Sequence, residues 1–131
     1  DQHPNAQVHI IPAGLVLKKL QELVTSGILS LPDGKSFRET FFKQNRPGYY
    51  GGCGTPDHIH LSKTGIYVVA LAHYAAIYQS CPIGLPAQVP YPNYDDGCID
   101  DDDVLIDPAF ADELQQVTWD VVRTYAWSGI K

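Results

Sequence analysis

Apolar positions along the chain fall into short clusters separated by long stretches rich in glycine and proline. Val8, Ile10 and Ile11 form a β-branched run closed by Pro12, the pattern of a short strand covered on both faces. Apolar residues then recur at Val16, Leu17, Leu20, Leu23 and Val24, which predicts a helix over 14–26 stopped by Gly27. A strand running straight into a helix is the βα unit of a parallel sheet. Residues 27–56 read as loop, with a turn at Pro32-Asp33-Gly34 and a short helix anchored by Phe37, Phe41 and Phe42. Four glycines and two prolines between Arg46 and Pro56 argue against regular structure there.

The strongest helical pattern spans Ser62 to Gln79, with Ser62 or Thr64 as N-cap. Ile66, Val69, Ala70, His73, Tyr74 and Ile77 make one stripe, and Tyr67, Leu71 and Tyr78 a second. A helix so apolar all round is expected to be buried on most sides. Residues 80–108 read as irregular, with prolines at 82, 86, 90, 92 and 108. Asp107-Pro108 then predicts a cap followed by a first-turn proline. The last helix runs to about Tyr125, with Phe110, Leu114, Val117, Val121 and Val122 on one side. One strand cannot pair its own backbone, so either short strands are hidden in the loops or, the favoured expectation, the remaining strands of the sheet lie outside this chain.

Charge and composition narrow the function classes. The chain has 131 residues, enough for one domain, and a formal net charge of −6, which disfavours nucleic acid as partner. No apolar run is long enough to cross a bilayer. The chain opens Asp1-Gln2-His3-Pro4 without a signal-peptide pattern, and it has no methionine, which suggests a processed or trimmed polypeptide. Three cysteines, Cys53, Cys81 and Cys98, match no zinc spacing. A Cys81–Cys98 bridge would close a Pro-rich loop and place the chain in an oxidising compartment, secreted or periplasmic. Cys53 would then be free or paired outside the chain.

The most informative chemistry is Asp57-His58-Ile59-His60. An Asp near a His can accept its Nδ1 proton, fix the tautomer and leave the other ring nitrogen as a general base. The same spacing also fits a surface loop with a capping Asp. A metal site through His58 and His60 requires a bent loop and is not favoured, and no resident metal or cofactor is expected. Cys53 precedes His60 by seven residues, but nothing around it predicts an activated thiol. His73 reads as a satisfied core histidine, and His3 and His9 have no partner in the sequence. Tyr49 and Tyr50, beside Gly51 and Gly52, are candidate substrate-binding residues, an aromatic lip against ordinary loop packing. Asp95, Asp96 and Asp100 to Asp103 read as a solvated acidic loop, with calcium as the other use of its oxygens.

Val8 to Gly14, the helix after it, and Pro56-Asp57-His58-Ile59-His60-Leu61-Ser62 with Gly65, Tyr67 and Ala70 together resemble the C-terminal part of the SGNH (GDSL-like) hydrolase family. The resemblance continues through Tyr74 to Tyr78, Pro82-Ile83-Gly84-Leu85-Pro86, Leu114 to Trp119 and Trp127-Ser128-Gly129. It implies an α/β fold, the C-terminal portion of a three-layer αβα, flavodoxin-like sandwich. It also implies hydrolysis of carboxylic esters by a Ser-His-Asp arrangement, with His60 as general base and Asp57 as its orienting partner. The family's nucleophile in a G-D-S-like motif and its Gly and Asn oxyanion donors are missing. Ser26, Ser30, Ser36, Ser62, Ser80 and Ser128 all lack a strand–elbow context.

The expectation is therefore that residues 1–131 are a single unit, the C-terminal half of a larger hydrolase domain. Residues 1–80 hold the strand, helix, D-x-x-H loop and buried helix, 81–107 the irregular acidic loop, and 108–131 the C-terminal helix. The nucleophile-bearing N-terminal half is the expected partner, and small esters, acetylated carbohydrate among them, the expected substrates. This chain alone is expected to be inactive. The competing reading is a non-catalytic α/β module or degenerate relative that binds carbohydrate or protein, with calcium taken up by the acidic loop.

Overall fold

A computed structural model describes residues 8–44, 56–89 and 104–130. In chain order these hold α1 (Ala13–Thr25), a 3-10 turn (Pro32–Gly34), α2 (Phe37–Phe41), β1 (Phe42–Gln44) and β2 (Pro56–Leu61). They continue with α3 (Lys63–Tyr78), β3 (Gln88–Val89), β4 (Val104–Leu105) and α4 (Pro108–Thr124). The fold is mixed α/β and mostly helical, with β1–β2 and β3–β4 as two small antiparallel pairs. A parallel sheet is not among the described residues.

The helices begin and end where local chemistry satisfies their free backbone groups. Gly27 at φ +73° lets its own N–H reach Val24 O at 3.1 Å and that of Ile28 reach Leu23 O at 3.0 Å. This Schellman pair closes α1. Ser36 and Glu39 form a capping box on α2, as the Ser36 backbone N–H donates to Glu39 Oε2 at 2.7 Å and the Glu39 backbone N–H to Ser36 Oγ at 3.3 Å. Asp107 caps α4 by accepting from Phe110 N at 3.1 Å, with Pro108 following in the first turn.

α1, α3 and α4 pack on one another around a common core. Val16 and Leu20 enter it from α1, Val68, Leu71, Ala72 and Ala75 from α3, and Ala111, Leu114 and Val122 from α4. Phe41 closes one end beside Phe37, with ring centroids 4.8 Å apart. Gln115 sits in this core with only 1% of its surface exposed. Its amide donates to Tyr67 Oη (2.6 Å) and Leu85 O (2.9 Å), and its Oε1 accepts from Gly84 N (2.7 Å). Fully bonded, it pins the 82–85 turn between α3 and α4 without leaving a buried polar group unpaired.

Four sequence expectations need correction. Val8 to Ile11 forms no strand with any described residue, and the backbone bond it makes among them is Ile10 N to Trp127 O at 2.8 Å. A strand requires a ladder, and no neighbour among the described residues supplies one. Pro56–Leu61 is a strand and not a loop, because β1 pairs with it. The 81–107 stretch holds two short paired strands at its ends, with Gln88 opposite Leu105. On α3, the buried residues beyond the first turn are Tyr67, Val68, Leu71, Ala72, Ala75 and Ala76, with Lys63 and Gly65 buried at its start. The stripe from Ile66 through Ala70 and His73 to Ile77 is turned outward instead. Accordingly His73 is exposed and bonds through Nδ1 to Val69 O at 2.8 Å, rather than lying in the core.

Candidate functional site

The D-x-x-H segment becomes β2, the longer strand of the β1–β2 pair. Phe42 lies opposite Leu61 and Gln44 opposite Pro56, so two steps along β1 face five along β2. In a regular strand, residues three apart point to opposite faces. The irregular register breaks that alternation, and spacing alone no longer decides whether Asp57 and His60 share a side. The Asp57 carboxylate, like Tyr49, Tyr50, Cys53, Cys98 and the 95–103 acidic loop, lies outside the described residues. Its expected bond to His60 Nδ1 falls there too.

His60 itself is exposed near the end of β2, three residues before α3 begins at Lys63. The chain just beyond it is held firmly. Ser62 is buried, and its backbone N–H donates to Phe41 O at 3.0 Å. Its hydroxyl donates to Thr40 O at 2.6 Å and accepts from Gly65 N at 3.1 Å. One side chain thus caps α3 and fastens it to the end of α2. Gly65 is required at this contact, since a Cβ there would collide with the Phe41 carbonyl oxygen.

Beside this junction opens a cavity of about 370 Å³, lined by Glu39, Thr40, Ser62, Lys63, Thr64 and Phe110 among others. Lys63 is only 5% exposed, a position that its charge alone would not predict. The Glu39 carboxyl on the rim is held below the usual carboxylate range, chiefly by hydrogen bonds from the Ser36 hydroxyl and backbone. Most polar groups around this cavity already have partners: Thr40 Oγ1 donates to Ser36 O at 3.0 Å, and Asp107 caps α4. Its chemistry is therefore largely structural. Ser62, Lys63 and Gln115 escaped the sequence reading as site-forming residues, although the Ser-x-x-Gly spacing at 62–65 was a usable signal for the first.

Cys81 is exposed with a free thiol, where the sequence reading expected a bridge to Cys98. Among the described residues, no group of three or more His, Cys, Asp or Glu is placed to hold a metal ion. No helix there is long and apolar enough to cross a membrane. Comparison with family models, with curated proteins and with solved structures found no match.

Proposed function

We propose that this chain is the base-bearing part of a serine ester hydrolase of SGNH type, with His60 as general base and Asp57 as its orienting partner. In this reading the nucleophilic serine and the oxyanion donors come from polypeptide outside residues 1–131. The observation that carries the proposal is the presentation of His60. It is an exposed residue near the end of a paired strand, two positions before a buried Ser62 that is bonded through its hydroxyl and its backbone. A general base works when its backbone is rigid and its ring is accessible to a nucleophile. The sequence resemblance assigns the same residue.

The need for a partner has separate support. Val8 and Ile10 are 77% and 46% exposed, and Ile77 and Tyr78 are 62% and 68% exposed. Ile11 and His9 line a groove with Ala76 and Ile77, so the 8–11 segment and the outer face of α3 adjoin. Apolar surface of that kind, beside a β-branched segment without a ladder among the described residues, suits a covering sheet. With such a partner, Ser Oγ would lose its proton to His60 as it attacks an ester carbonyl, and His60 would return the proton to the leaving alkoxide.

The test is ester hydrolysis with and without a polypeptide that carries a serine in a G-D-S-like turn. The chain alone should hydrolyse p-nitrophenyl acetate no faster than free imidazole and should not be labelled by a fluorophosphonate. In the complemented enzyme, His60→Ala should lower kcat by about 10³-fold or more, and Asp57→Asn by as much or less. Labelling of a serine in the isolated chain, or an unchanged rate in His60→Ala, would remove the proposal.

A further inference from the structure

We infer that Ser62 is the positioning residue for His60, holding the end of β2 so that the imidazole leaves the strand in one fixed direction. The inference rests on the reading of His60 as general base and adds the part that aims it. Three backbone segments meet at Ser62: the end of α2 through Thr40 O and Phe41 O, the end of β2 through Leu61, and the start of α3 through Gly65 N. Thr40 is 9% exposed, Ser62 6% and Phe41 0%, so these bonds form away from water and cannot be exchanged for solvent without cost. The Phe42–Leu61 pairing lies next to them, which leaves His60 one residue from the fixed point. Gly65 tightens the same joint, because the helix start lies directly against the Phe41 carbonyl.

An ordinary helix cap needs only the bond from Gly65 N. The additional bond from Ser62 Oγ to Thr40 O makes the hydroxyl both donor and acceptor, and so couples the strand end to a second helix. Alanine at 62 removes both bonds and strands the Thr40 carbonyl in a dry site. Threonine keeps the hydroxyl.

The experiment is NMR on the full isotopically labelled chain, wild type against Ser62→Ala and Ser62→Thr, with Asp107→Ala as a cap variant at α4. Wild type should show Hα–Hβ couplings of a single His60 rotamer. In Ser62→Ala those couplings should become rotamer-averaged, and the amides of His60 and Leu61 should exchange about tenfold faster while α1 and α4 keep their protection. Ser62→Thr should restore the wild-type couplings, and Asp107→Ala should leave them unchanged. If Ser62→Ala does not fold, Gly65→Ala takes its place, since it keeps the hydroxyl but pushes the helix start off Phe41; the same local loss is expected. An averaged His60 in wild type, couplings unaltered in the variant, or a uniform rise in exchange over α1, α3 and α4 would each overturn the inference. In the complemented enzyme, Ser62→Ala should lower kcat and leave KM in place. No rate loss in His60→Ala would instead sink the role of His60, which separates the two failures.

Discussion

Helices α3 and α4 are 16 and 17 residues long, begin on the capping side chains of Ser62 and Asp107, and send apolar residues into the same core. Their outer faces differ. On α4 the exposed positions include Asp112, Glu113, Gln116 and Arg123, with Asp120 bonded to both Gln116 and Arg123. On α3 the only charged residue, Lys63, is buried, and the outward positions include Ala70, Ile77 and Tyr78. A polar outer face marks a helix that ends at water, whereas an apolar one is expected to be covered. The contrast teaches that, among the described residues, one side of this core ends in charged and polar groups and the other leaves apolar side chains exposed, the face to which the proposed partner is assigned.

The largest effect that tests this contrast is in the shared core. Leu114, fully buried on α4, should lose about 2–5 kcal/mol of stability on substitution by Ala, through lost transfer energy and the cavity left behind. Urea unfolding followed by circular dichroism measures it, and a loss below ~1 kcal/mol would mean the core is looser than its burial implies.

A second experiment addresses the outer face of α3. Ile77→Lys should change the stability of the chain alone by no more than about 0.5 kcal/mol, because Ile77 is 62% exposed. It should weaken association with the complementing polypeptide, read by sedimentation of the mixture. A stability loss as large as that of Leu114→Ala would show that the α3 face is already packed within the chain.

The smallest effect is in the charged lacing of α4. Gln116 chiefly, and Arg123 with it, holds the Asp120 carboxyl below its ordinary value. A lowered carboxylate contributes stability that is present above the unfolded value and is lost as pH falls through the folded one. Acidification through the carboxylate range should therefore raise amide exchange in the last turns of α4 slightly, the pair being solvent-screened. α3 contains no carboxylate and should show no matching change. Equal responses in the two helices would erase the distinction.

What could be read along the chain was whatever depends on neighbours within a few residues. Gly27 ends α1, Ser62 opens α3 and Asp107-Pro108 opens α4, as the sequence reading expects. Each is a bond spanning three to five residues, so residue identity and spacing carry it almost whole. The same holds for the short helix around Phe37 and Phe41, whose Ser36–Glu39 box is a local signal that the sequence reading does not use. For the candidate site, His60 and its place just before a helix were legible, but its setting in a strand was not. β2 exists because β1 pairs with it across the intervening glycine- and proline-rich stretch, and local composition there points to loop.

Which face of α3 turns inward was decided by tertiary structure alone. A helix apolar on every side has no phase for periodicity to read, and the choice fell to the packing of α1 and α4 against Val68, Leu71 and Ala75. The burial of Lys63 and the bonding of Gln115 to Tyr67, Gly84 and Leu85 belong to the same class. So does the bond from Ser62 to Thr40, 22 residues apart. Local sequence specifies how a backbone group is satisfied when its partner is a few residues away. When the partner arrives from a distant segment, only the packing that brings the two together determines the outcome.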